Sequence, residues 1–158
     1  MEGIEYYEDR KLDKSQLLRL STCKYVDEGH HVIWGGVSGN GKTYIACALG
    51  NAACRRFKKV TYIRMPELLD EITIARSSGE LKKLLAACKK VDLLILDEWL
   101  IRPLTPQEAY DLLKIVEARC KRSMLFCAQY QPESWYTRID PNPESDSPVS
   151  EAIMDRIP

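Results

Sequence analysis

The sequence carries no net charge: 23 Lys and Arg are balanced by 23 Asp and Glu, and the pI is near 6.7. No global field therefore draws the chain toward nucleic acid or an anionic membrane, and any such contact has to be local. Long apolar runs are also missing. No segment approaches the ~18 to 20 apolar residues that cross a bilayer, and the acidic opening MEGIEYYEDRK carries no signal-peptide stretch. A cytoplasmic protein with no membrane partner is expected. Histidine is scarce, with His30 and His31 the only two, and the cysteines at 23, 47, 54, 88, 120 and 127 form no Cys-x-x-Cys pair. That spacing argues against zinc. In a reducing compartment these thiols are expected to be small buried apolar groups rather than bridges or nucleophiles. Internal repeats and low-complexity tracts are absent.

What remains is an ordinary globular composition, 45% hydrophobic and 29% charged over 158 residues. One domain of this length buries roughly 70% of its unfolded surface, so a core needs no disulfide or metal staples. Residues 1–30 are expected to be an N-terminal extension or linker and residues 31–158 the folded core. His31 to Trp34 reads as a short strand running into Gly35 and Gly36. From Lys42 to Phe57, Ile45, Ala48, Leu49 and Ala52 recur at three- and four-residue spacing and predict a helix with one buried face. A strand over Lys59 to Ile63 follows, then helical pieces over 66–76 and 80–89, broken at Ser77-Ser78-Gly79. Val91 to Leu96 is apolar on both alternating faces, which suits a central parallel strand covered on both sides. Thr105-Pro106-Gln107-Glu108 combines an N-cap, a proline at the first helical position and a capping-box glutamate. The inward stripe of that helix is predicted to be Ala109, Leu112, Leu113, Val116 and Cys120. Ser123 to Ala128 reads as a fourth strand, residues 131–148 as loop around a short helix near Trp135, and Val149 to Ile157 as a last helix. Strands alternating with helices in this way argue for an α/β fold with an open parallel sheet.

Residues 36 to 43 read Gly-Val-Ser-Gly-Asn-Gly-Lys-Thr, a complete G-x-x-x-x-G-K-[ST] pattern between a predicted strand and a predicted helix. A chain of this size would match it by chance on the order of 1% of the time. Glycines at 36, 39 and 41 let the backbone wrap closely around phosphate oxygens and aim N–H groups at them from the positive end of the helix. Lys42 would reach the β- and γ-phosphates, and the Thr43 hydroxyl would ligate Mg²⁺. The candidate nucleotide contacts are therefore Gly36, Val37, Ser38, Gly39, Asn40, Gly41, Lys42, Thr43 and the adjacent Tyr44. An acidic pair, Asp97-Glu98, closes the apolar strand. Asp97 is the expected second Mg²⁺ ligand, and Glu98 the residue that orients and activates an attacking water. No Asn-Lys-x-Asp occurs and Asp97 is not followed by the Asp-x-x-Gly turn of small GTPases, which favours ATP over GTP. Adjacent Asp and Glu suit attack by water, and no Arg-rich lid is visible; a small-molecule phosphotransferase of the nucleoside or nucleotide kinase kind is the alternative.

From about Glu28 to Arg156 the chain resembles the IstB/DnaC family of AAA+ ATPases, the transposition helpers and replicative helicase loaders. GVSGNGKTYIACALG resembles that family's cradle and first helix, MPELLDEI the segment after its second strand, LLILDEWLIRPLTPQEAYDLL its Walker B strand and following helix, and AIMDRI its arginine-bearing helix. The resemblance implies a P-loop NTPase of AAA+ type, a three-layer sandwich with a central parallel sheet lacking the family's fifth strand and C-terminal lid. With the usual order 5-1-4-3-2, the cradle strand would be left as a sheet edge. It also implies that Gln129 stands where the family carries a sensor Asn, and that Arg156 matches the arginine finger that completes a neighbouring subunit's site. Trp99 departs from the small residues common after Asp-Glu. Implied partners are DNA phosphates, an ATP-dependent homo-oligomer, and a transposase, favoured over a replicative helicase. Basic clusters at Arg55-Arg56-Phe57-Lys58-Lys59, Lys82-Lys83, Lys89-Lys90 and Lys121-Arg122 suit predicted helix C-termini; Lys82 and Lys83 are the expected place for DNA contact. Weak turnover in isolation, below about 1 per second, is expected.

Overall fold

The apolar run beyond Asp92 forms an interior strand of a parallel sheet, covered on both faces, as its lack of a polar face requires. The computed structural model describes residues 4–8, 14–35, 39–141 and 149–157. Along the chain run β1 (Ile4–Glu8), α1 (Lys14–Ser21), α2 (Lys24–Glu28), β2 (His31–Gly35), α3 (Gly39–Arg55), β3 (Val60–Arg64), α4 (Met65–Ser78) and α5 (Leu81–Lys90). Then come β4 (Leu93–Trp99), α6 (Pro106–Ala118), β5 (Ser123–Ala128), a 3-10 turn (Pro132–Ser134), α7 (Trp135–Ile139) and α8 (Val149–Arg156). The strand order is β1-β2-β5-β4-β3 and every pairing is parallel. Its last four members reproduce the 1-4-3-2 arrangement expected from the sequence.

The expected exposed edge beside the cradle strand is not there. β1 pairs with β2 from Ile4 opposite His31 to Glu8 opposite Gly35, so the backbone groups of β2 on that side are occupied. Residues within the predicted extension thus supply a strand and two helices. Leu20, Cys23, Tyr25 and Val26, from α1, α2 and the turn between them, are buried with Val32, Trp34, Ile45, Leu49, Ile95 and Cys127 on one face of the sheet. The other face packs Ile33, Leu94, Leu96, Met124 and Phe126 against α4, α6, α7 and α8. Alternate residues of β2, β4 and β5 serve opposite layers, and all of β2 and β5 is buried.

Thr105 and Glu108 form the capping box read from the sequence: the Glu108 N–H donates to Thr105 Oγ1 at 3.2 Å and the Thr105 N–H to Glu108 Oε1 at 3.0 Å. The inward stripe holds for Ala109, Leu112 and Val116 but not for Cys120, which is exposed. The helix ends at Ala118, so extending its period to Cys120 misplaces the turn, and Arg119 takes the inner position instead. Cys47 and Cys54, on the outer side of α3, are exposed as well; Cys23, Cys88 and Cys127 are buried as expected.

Arg119 is fully buried. Its guanidinium donates to the carbonyls of Cys88 (2.9 Å), Lys89 (3.3 Å), Val91 (2.6 Å), Asp92 (3.3 Å) and Ser123 (2.6 Å). One side chain thereby satisfies the end of α5 and the starts of β4 and β5. Burial pushes its pKa down to about 10, still cationic at neutral pH.

Arg119→Met is expected to lower the unfolding free energy by about 3 kcal/mol or more, because several buried carbonyls lose their donor at once; urea denaturation measures it. Acid is expected to weaken the fold in two stages. Burial, with Arg119 and His30 nearby, pushes His31 from 6.5 down to about 4, and its neutral Nδ1 accepts the Met124 N–H at 3.1 Å. Its contribution is complete above pH 6.5 and is lost as pH falls toward 4. The Arg102 hydrogen bond, against burial and with help from Thr105, holds Glu108 near 2 rather than 4.5, so this contribution disappears between those values. Glu108→Gln should remove the lower stage alone from the urea midpoint plotted against pH.

Candidate functional site

A parallel sheet brings the carboxyl ends of β2, β4 and β5 to one edge, and the helix after β2 begins there. Of the cradle, Gly36, Val37 and Ser38 lie outside the described residues. Gly39, Asn40, Gly41 and Lys42 form the first turn of α3, and the Lys42 side chain also lies outside them. The helix starts three residues earlier than Lys42, where apolar periodicity alone begins it. Among the described side chains its first large buried residue is Ile45, and the residues before Lys42 are glycine and asparagine, so apolar periodicity could not reach into the glycine-rich stretch.

Thr43 and Asp97, expected as a ligand pair, meet. Thr43 Oγ1 donates to Asp97 Oδ2 at 3.0 Å across 54 residues of chain. Asp97 is buried, and its other oxygen accepts the Glu98 N–H at 2.8 Å. A third partner was not foreseen: the Tyr62 hydroxyl, from the neighbouring strand β3, also donates to Asp97 Oδ2. Register explains it. Arg64 lies opposite Asp97, so Tyr62, two residues earlier, shares its face and is within diagonal reach. Burial, with the Asp97 carboxylate beside it, raises the phenol's pKa, which keeps Tyr62 a donor.

The direction of Asp97 depends on a β-bulge. Leu96 pairs with Phe126 but Trp99 with Ala128, one residue more on β4 than on β5. Glu98 sits in the bulge at φ +53°, in the left-handed region. The extra residue leaves Asp97 on the α3 side with Ile95 and turns Trp99 to the opposite layer. There Trp99 packs edge-on against Phe126 (4.5 Å between centroids) and Trp135 (5.5 Å). Trp99 is therefore the anchor of the strand end, a role its sequence position left open. Glu98 is half-buried beside Asp97, and Tyr44 is exposed next to Thr43.

Gln129 follows the last residue of β5 on the same edge and is exposed. Arg156 is not brought to this edge. It lies on α8 beside Glu117 in the last turn of α6, 3.6 Å from its carboxylate, near the amino ends of the strands. A buried carboxylate and a hydroxyl, both hard oxygen donors beside a helix N-terminus, have the chemistry to hold Mg²⁺ and a polyphosphate.

Thr43→Val and Tyr62→Phe are each expected to cost about 1 kcal/mol of stability in urea denaturation. Double-mutant cycles of each with Asp97→Asn should give couplings above about 0.5 kcal/mol; strict additivity would mean that the sheet alone positions Asp97.

A family model described as IstB-like ATP binding protein matches residues 1–158. The chain is 36% identical over 157 residues to a Sinorhizobium fredii protein named as an insertion sequence ATP-binding protein, covering 99% of this chain and 62% of that one. It is 33% identical over 151 residues to a similarly named Pseudomonas fluorescens protein, covering 95% and 65%. It thus spans a little over three fifths of these relatives. The fold is similar to that of DnaI (TM-score 0.74, 18% identity, 99% of this chain and 94% of that one) and of the DnaC helicase loader (0.67, 17%, 90% and 77%). A structure of the replication initiator DnaA bound to AMPPCP and single-stranded DNA is also similar (0.69, 18%, 88% and 42%). Matched by the family model from end to end, with the cradle helix and the strand-end acid in register, the chain belongs to the IstB-like ATP-binding protein family.

Proposed function

We propose that this chain binds ATP with Mg²⁺ at the carboxyl edge of its sheet and hydrolyses it to drive assembly on DNA and delivery of a transposase during transposition. The observation that carries the reading is the hydrogen bond between Thr43 and Asp97, which joins the cradle helix to the acidic strand end. Insertion-sequence relatives favour a transposase over a replicative helicase as client.

Backbone N–H groups from Gly36 to Thr43 and the Lys42 ammonium would bind the phosphates, and Thr43 with Asp97 would hold the metal. Bound Mg²⁺ would supply charge neutralisation at the phosphate oxygens. Tyr62 and the Glu98 N–H keep the Asp97 carboxylate aimed at α3. Glu98, displaced outward by the bulge, is the group available to take a proton from water, and Gln129 offers a polar contact to the same water or to the γ-phosphate. Arg156, near the opposite edge from its own cradle, suits the site of a neighbouring copy.

Calorimetry should find Mg²⁺-dependent uptake of ATP that Lys42→Ala abolishes. Glu98→Gln should keep binding but lose at least about 100-fold in turnover, and Arg156→Ala should lose ATP-stimulated growth in light scattering on DNA while binding ATP normally. Absence of any nucleotide uptake by the intact chain would overturn the reading.

A further inference from the structure

The amino ends of the strands form a second edge, opposite the nucleotide site, and three loops bring cations to it. Arg55 and Arg56 end α3, Lys89 and Lys90 end α5, and Lys121 and Arg122 precede β5; all six are exposed. Hydrogen bonds hold these loops side by side. The Lys59 N–H donates to Asp92 Oδ2 at 2.8 Å and the Asp92 N–H to the Lys59 carbonyl at 2.8 Å, while Arg122 reaches the Lys90 carbonyl at 3.3 Å. The buried Arg119 fastens the same segments from beneath. Nearby acids are partly spent: Asp27 pairs with Lys58, Asp92 accepts backbone N–H, and Glu28 faces Lys24 and His30. In a chain of zero net charge, this is a polarised end.

Helix dipoles account for cations at the ends of α3 and α5. They do not account for Phe57, whose ring stands 95% exposed between Arg56 and Lys58. Phe57 occupies the left-handed C′ position of a Schellman motif at φ +64°: its N–H donates to the Cys54 carbonyl and that of Lys58 to Ala53. Equivalent positions after α2 and α4 are glycines, Gly29 and Gly79, at φ +70° and +77°. After α1 the left-handed residue is Cys23 at φ +62°, whose side chain is buried; after α3 it is a large aromatic, in a conformation that a β-carbon disfavours, and no core receives the ring.

We propose that this edge grips DNA, with phosphates along the six cations and one base face stacked on Phe57. The proposal rests on the DNA-assembly reading above and specifies the face; it moves the contact away from Lys82 and Lys83, which lie exposed at the start of α5. Cations set in a row accept a phosphate lattice without sequence preference, and a projecting ring stacks on any base, whether unpaired or exposed at an opened duplex step.

Fluorescence anisotropy of the full chain with Mg²⁺ and ATP tests this against a labelled oligothymidylate and a duplex of equal length. Phe57→Gly should leave the Tm unchanged or higher, because glycine suits φ +64°, yet weaken binding about tenfold. Phe57→Trp should restore it. A loss on the single strand alone identifies an unpaired base as the partner; a loss on the duplex identifies an inserted ring. Arg55→Gln with Lys121→Gln should flatten the salt dependence of affinity by about two in slope. Unaltered binding by Phe57→Gly, or loss confined to Lys82→Gln and Lys83→Gln, would overturn this face while leaving DNA assembly standing. Loss of self-association without DNA in Phe57→Gly would overturn it in favour of a second copy of the chain. Failure of the wild type to take up DNA, with nucleotide binding intact by calorimetry, would remove the DNA-assembly reading as well.

Discussion

A single extra residue in β4 organises the carboxyl edge. Without it, strand alternation would put Asp97 and Trp99 on the same face, and either the acid would lose α3 or the indole would lose the core between α6 and α7. With it, both needs are met within three residues: a carboxylate aimed at the helix that starts with the glycine-rich turn, and a bulky ring driven into the opposite layer. Glu98 bears the backbone cost at φ +53°. Tyr62 and the Glu98 N–H then fix the carboxylate's rotation, so the site is oriented before anything binds.

The sheet also keeps two kinds of work apart. Helices that begin at the carboxyl edge end at the amino edge, so one end of the molecule gathers N–H groups and acids and the other gathers carbonyls and cations. Arg119 is the structural counterpart of that division: a buried cation with backbone carbonyls, not a carboxylate, as its partners. It stiffens the loops whose outward residues carry the remaining positive charge.

Much of this was legible in the residues. Apolar alternation and helical periodicity gave four strands and the helices between them, because both faces of the sheet are covered and the patterns are correspondingly strong. The glycine-rich pattern and the Asp97-Glu98 pair were legible as fixed orders of residue types, and the structure brings one member of each, Thr43 and Asp97, together. What escaped depends on partners far away in sequence. IEYYE is a weak strand signal that is fixed by pairing with β2. Tyr62 reaches Asp97 through register, and a bulge leaves no compositional mark. Cys120 misled because periodicity continues on paper after the helix has ended at Ala118.

β1 has a consequence for how the chain comes to be. β2 and β5 pair from Val32 opposite Leu125, so the inner neighbour of β2 is synthesised almost a hundred residues after it. Through that interval the apolar HVIWG segment has one parallel partner already made, Ile4–Glu8. The early strand offers this apolar segment a pairing edge on one side while the nascent polypeptide waits for the contact of highest sequence separation in its sheet.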